Sequence, residues 1–186
     1  MFNIIKKSVL AGILIGLGVI INLQSENSII GALLFSFGLL TIIQMQLYLY
    51  TGKIGFLTKI NEWKFLITVL FWNCFGIIAT VCTYAIGNQN FVNILSTAAV
   101  AKFSKSIITL FINACFCGAL IHFAVKNKTT ILTIFAIMIF ILIGAEHCIA
   151  DSPYLLSNFT PINILKFISI VLGNSLGAIL IERLSK

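Results

Sequence analysis

Six apolar stretches, at about 7–23, 29–49, 65–86, 107–125, 131–150 and 162–181, follow one another along this chain of 186 residues. Each is close to the ~20 residues a helix needs to cross a hydrocarbon core, and roughly twice the length of a membrane strand. In hydrocarbon every backbone N–H and C=O must find its partner inside the protein, and a helix achieves this alone. The expected fold is therefore an all-α polytopic membrane protein with six transmembrane helices. With 60% of residues hydrophobic and 9% charged, the chain cannot solvate a water-facing surface of ordinary size. The first stretch, preceded by Lys6 and Lys7, has the outline of a signal peptide. It lacks a small-residue cleavage site and five more stretches follow, so it is read as a helix. The longest connections, about 51–64 and 87–106, are too short to hold a core. Residues 1–186 are read as a single transmembrane transport domain acting inside the bilayer.

Threading six spans puts Lys6, Lys7, Lys53, Lys59, Lys64, Lys126, Lys128, Arg183 and Lys186 on one side and Lys102, Lys105 and Lys166 on the other. By the positive-inside rule both termini are cytoplasmic. The net charge of +7 is thus mostly topogenic, and no nucleic-acid partner is expected. Five cysteines, at 74, 82, 115, 117 and 148, lie in or beside apolar runs and read as small packing residues. Neither His-x-x-x-His nor Cys-x-x-Cys occurs, so no metal and no cofactor is expected. An intramembrane enzyme built on Glu146 and His147 would lack a second base, a nucleophile or a metal set. The chain is read as a non-enzyme.

Three spans per half make two related halves, about 1–90 and 100–186, inverted in the membrane. Asn73-Cys-Phe-Gly76 in the third stretch is echoed by Asn174-Ser-Leu-Gly177 in the sixth. The second stretch is interrupted by Gln44-Met-Gln-Leu-Tyr-Leu-Tyr-Thr-Gly-Lys53, and the fifth ends in Gly144-Ala-Glu-His-Cys-Ile-Ala-Asp-Ser-Pro153. Thr51 stands 22 residues before Asn73, and His147 stands 27 before Asn174. Paired interruptions in inverted halves point to a transport site, because broken backbone at membrane depth persists where it lines a cavity. The competing reading is that both stretches simply end helices at the surface.

With these elements in place the chain resembles the formate/nitrite transporter family. "VLAGILIGLGVI" (9–20), "LLFSFGLL" (33–40) with "LYTG" (49–52), "AEHCIAD" (145–151) and "LGNSLGAIL" (172–180) carry the resemblance. It implies an aquaporin-like bundle with broken second and fifth helices, a homo-pentamer with a pore in each protomer, and small monovalent anions such as formate, nitrite or hydrosulfide as substrates. It also implies a bacterial inner or plasma membrane. By matched position Thr51 and His147 form the central polar pair, and Lys102 is the vestibule cation. Phe35, Leu39, Leu49, Ile121 and Phe140 form two apolar constrictions. Tyr48 stands where the family usually has an acid, and Gly118 falls where an Asn is typical.

The chemistry of the residues runs parallel. A bare charge at membrane depth costs at least ~3 kcal/mol, while protonating an acid of pKa near 4 at pH 7 costs about 4 kcal/mol. A weak-acid anion therefore gains from a proton donor between dry gates. His147 has the chemistry for this, and the Thr51 hydroxyl can hold an anion or the imidazole. The bland alternative for His147 is a structural histidine bonded to nearby backbone. Glu146 is read as a structural acceptor, with a protonated acid as the alternative. Asn73 and Asn174 are structural polar residues. Asp151-Ser-Pro153 reads as a turn and cap that stops a helix. Lys102 and Lys105 are either loop lysines or an anion funnel, Lys166 snorkels, and His122 reads as packing or interface. Three functions stand: transport of a weak-acid anion with its proton, a pore for small neutral solutes, and a structural membrane subunit.

Overall fold

The structure, a computed structural model, describes residues 1–59 and 62–186. The described residues form helices and no strand: α1 (Phe2–Gln24), α2 (Ser28–Gln44), α3 (Tyr50–Lys53), α4 (Trp63–Ala85), α5 (Gln89–Phe103), α6 (Ile107–Asn127), α7 (Thr130–Leu142), α8 (Cys148–Ser157) and α9 (Pro161–Leu184). A 3-10 turn, Ile54–Phe56, follows α3. By length and composition α1, α4, α6 and α9 can each cross a membrane. The apolar helices α2 and α7 are shorter, at 17 and 13 residues.

Helix starts follow the usual cap chemistry. Asn27, Asn88, Ser106 and Thr160 each accept a first-turn N–H with a side-chain oxygen. Pro161 opens α9, where its missing N–H is no loss. The stretch 87–106, expected to be a mere connection, contains α5. Phe91, Leu95, Ala99 and Phe103, four residues apart, are its buried stripe.

The chain runs back and forth between two ends. At one end Lys7 near the start of α1 donates to the Gln46 carbonyl at 3.3 Å, and Lys126 near the end of α6 reaches Glu182 near the end of α9 at 3.0 Å. At the other, Gln24 donates to the Tyr84 hydroxyl at 3.1 Å and Lys166 to the Phe103 carbonyl at 2.6 Å. Both termini therefore lie at the Lys53 end of the bundle, and Lys102 lies at the opposite end.

Two helix pairs, α1 with α4 and α6 with α9, approach through glycine. A Cβ at Gly12 or Gly76 would overlap the carbonyl of Asn73 or Val9, and one at Gly118 or Gly177 would overlap that of Asn174 or Cys115. Gly118 is therefore a packing position, and the aligned Asn has no room there. The Gly118→Ala protein is expected to lose about 2 kcal/mol of stability through overpacking, read as a lower thermal midpoint in detergent.

The apolar runs of α2 and α7 stop in the same way. The Leu47 N–H donates to the Ile42 carbonyl and the Gln46 N–H to Ile43; the Ala145 N–H donates to Phe140 and the Gly144 N–H to Ile141. This is the Schellman pattern, and its left-handed residue is Gln46 (φ 52°) in one copy and Gly144 (φ 68°) in the other. The chain then extends for a few residues and turns helical again, as α3 and as α8.

The expected stop at Asp151-Ser-Pro153 is corrected here, because all three residues lie inside α8. Pro153 cannot donate to the Ile149 carbonyl four residues back. The Ser152 hydroxyl takes that acceptor at 2.8 Å, so the helix continues.

Candidate functional site

The two restarts are held by two asparagines in one pattern. Asn73 Nδ2 donates to the Ser8 and Tyr48 carbonyls and Asn73 Oδ1 accepts from the Tyr50 N–H, each at 2.8 Å. Asn174 Nδ2 donates to the Ala114 and Glu146 carbonyls and Asn174 Oδ1 accepts from the Cys148 N–H, each at 2.8 Å. Each amide thus satisfies a carbonyl and an N–H on either side of one residue. That residue is Leu49 in the first joint and His147 in the second. Sequence spacing drew attention to Thr51 beside His147, but the position equivalent to His147 is Leu49.

His147 precedes the first residue of α8, and its Nδ1 accepts the Ala150 N–H at 3.1 Å. A ring nitrogen that accepts carries no proton, so in the neutral ring Nε2 is the protonated one. Nε2 lies 2.9 Å from Thr51 Oγ1 and donates to it, which leaves the Thr51 hydroxyl proton free for another acceptor. Both side chains are buried. The Phe140 ring is stacked near the imidazole at 6.0 Å and 30°, and Phe35 meets Phe140 edge-on at 5.9 Å.

A cavity of about 150 Å³ opens at the Lys102 end, and its lining includes Phe35, Phe140, His147, Lys102, Lys105 and Asp151. Lys102 pairs with Glu146 and, at 2.9 Å, with Asp151; Lys105 pairs with Glu146 at 2.7 Å. The Lys102 ammonium also stands 5.1 Å from the centre of the Tyr154 ring. Lys102, read from the sequence as a vestibule cation, lines this cavity, and two carboxylates face the two ammonium groups. Glu146 is the acceptor of two lysines through its side chain and of Asn174 through its backbone. Asp151 belongs to this cluster, which local sequence could not reveal because its partner is 49 positions away.

A second cavity of about 260 Å³ lies at the Lys53 end, with Ile42, Leu47, Leu49, Gly52, Lys53 and Lys128 in its lining. Leu39 and Ile121 are buried and line neither cavity. Thr51 is likewise buried and lies outside both linings.

His122 lies apart from this site, near the Lys53 end. Its Nε2 bonds Glu182 at 2.9 Å and its ring meets Phe56 at 4.7 Å, a packing arrangement. Among the described residues no group of three or more His, Cys, Asp or Glu could hold a metal ion.

No curated protein sequence matches the chain. Among solved structures, an ion channel of the FNT family is similar with a TM-score of 0.83 at 20% identity, covering 99% of this chain and 88% of that one. A pentameric formate channel with formate bound is similar with a TM-score of 0.76 at 18% identity, covering 99% and 93%. At such identities the likeness speaks for the fold. The formate/nitrite transporter family model matches residues 1–184, nearly the whole length, and it adds the sequence pattern to the shape. The apolar helices are those of an integral membrane protein, and the chain belongs to the formate/nitrite transporter family.

Proposed function

We propose that the chain is a channel or transporter for small monovalent weak-acid anions of the formate, nitrite or hydrosulfide class. Six crossings form two inverted halves, about 1–90 and 100–186, in one transport domain. The matching Schellman stops and asparagine joints support this reading. Both termini face the cytoplasm, since most of the lysines gather at the Lys53 end. The chain assembles as a homo-pentamer in a bacterial inner or plasma membrane, each protomer with its own pore.

One observation carries the function: a buried imidazole bonded to a hydroxyl, with its ring in the wall of a cavity. The anion reaches His147 past the Phe35–Phe140 pair and accepts from the Thr51 hydroxyl. Leu39, Leu49 and Ile121 close the way beyond. A bare charge there costs at least ~3 kcal/mol, so the substrate crosses as its acid. The donor form of His147 is the imidazolium. A proton arriving at Nδ1 displaces the Ala150 N–H, and the Nε2 proton then passes to the anion through the Thr51 hydroxyl.

A second reading, a pore for small neutral solutes, draws on one specific fact. Nδ1 is occupied as an acceptor of Ala150 N–H, the arrangement of a neutral ring that donates no charge-bearing proton.

Flux into proteoliposomes at two pH values tests the proposal, with formate, nitrite, hydrosulfide, acetate, lactate and chloride compared. Formate, nitrite or hydrosulfide is expected to enter at least about a hundredfold faster than chloride, which no accessible proton can neutralise. Chloride passing as fast as formate would contradict proton donation.

A further inference from the structure

The two cavities differ in charge balance. At the Lys102 end, Glu146 and Asp151 neutralise Lys102 and Lys105. At the Lys53 end, Lys53 and Lys128 line the cavity and, among the described residues, no carboxylate does. Lys7 joins them: its ammonium bonds the carbonyl of Gln46, another lining residue, and stands 5.3 Å from the centre of the Tyr48 ring. Lys53 stands 5.4 Å from the centre of that ring. Tyr48 offers both cations a π face and no countercharge. Among the described residues none of these three lysines has a carboxylate within salt-bridge distance. The nearby Glu62 is engaged elsewhere, its carboxylate accepting the Thr58 and Lys59 N–H groups at 3.1 and 3.3 Å.

A topogenic role alone does not require convergence. Lys6 and Lys64 carry the same sign at the same end, yet each lies over the ring beside it, Phe2 or Trp63. Three uncompensated ammonium groups around one cavity repel one another, and an anion bridging them relieves that repulsion. Leu49, a residue of the apolar closure proposed above, also lines the cavity. A doubly charged oxyanion bound there cannot follow a weak acid through, because one proton does not neutralise it.

We infer that the cavity lined by Lys53 and Lys128 is a binding site for a multiply charged, phosphate-type oxyanion, which stays at the mouth and blocks it. The blocking part rests on the pore reading above; the binding part does not.

Calorimetric titration of inorganic phosphate into the full chain in zwitterionic nanodiscs tests the site. Lys53→Gln and Lys128→Gln are each expected to weaken phosphate about tenfold, the loss of one charge-assisted hydrogen bond, while Lys64→Gln leaves affinity unchanged. Repeating the titration in nanodiscs with anionic phospholipid identifies the source. Unchanged affinity means free phosphate, and lost affinity means a lipid headgroup takes the same site. No phosphate binding in zwitterionic nanodiscs, or binding indifferent to Lys53 and Lys128, overturns the inference. In flux assays phosphate on the Lys53 side alone is expected to slow formate. Binding without any formate flux in the unmodified chain would count against the pore and leave the site standing.

Discussion

Replacing His147 by Asn is expected to slow formate entry about a hundredfold at pH 7, the factor that ~3 kcal/mol represents. Asn is the informative choice because it keeps the architecture. Its carbonyl oxygen can accept the Ala150 N–H as a helix cap, a role in which Asn ranks with the best residues. Its amide ends where the imidazole Nδ1 and Cδ2 sit, so the bond from Nε2 to Thr51 is lost together with the titrating nitrogen. A variant that folds, elutes and melts like the original while losing formate flux would separate the role of Nε2 from that of the scaffold. Stopped-flow uptake across a pH series reads the effect. Equal flux in both proteins at every pH would sink proton donation and favour the neutral-solute pore.

The second large effect concerns Asn174. Its amide makes three hydrogen bonds to backbone groups of two other segments, all in the interior. Asn174→Leu keeps the bulk and removes all three. An orphaned buried polar group costs about 1–3 kcal/mol, and about 0.6 kcal/mol where a membrane environment supplies alternative partners. The expected loss is therefore about 2–5 kcal/mol, measured as a shift of the denaturation curve in mixed micelles. Asn73→Leu should cost a similar amount, because its three bonds repeat the pattern at the other joint. Formate flux should fall with Asn174→Leu, since that joint fixes His147. A loss below about 0.5 kcal/mol for both variants would mean that the extended segments hold themselves.

The helices were legible because a bilayer leaves one economical answer to long apolar runs. The family was legible from "AEHCIAD" and "LLFSFGLL" with "LYTG", since "AEHCIAD" and "LYTG" quote the joints themselves. What escaped depends on partners far along the chain. Asp151-Ser-Pro153 has the local chemistry of a helix stop, and only the Ser152 hydroxyl and distant Lys102 explain why the helix continues. Lys102 looked like a free cation because its carboxylates are 44 and 49 positions away. α5 was hidden by its modest apolar content, although Phe91, Leu95, Ala99 and Phe103 carried its period. Gly118 was aligned to a polar position because an alignment of motifs does not register that α9 backbone fills the space. Thr51 drew notice as a hydroxyl, whereas the counterpart of His147 is a leucine whose backbone surroundings alone reveal it.

That last pairing says what the two joints hold in common and what they leave free. The amide, the left-handed stop and the restart recur, while the residue they present is aliphatic in one and basic in the other. Because each mount holds its residue through backbone bonds alone, the side chain it presents is free to vary without redesigning the frame. On the transport reading proposed above, selectivity would then be written at very few addresses.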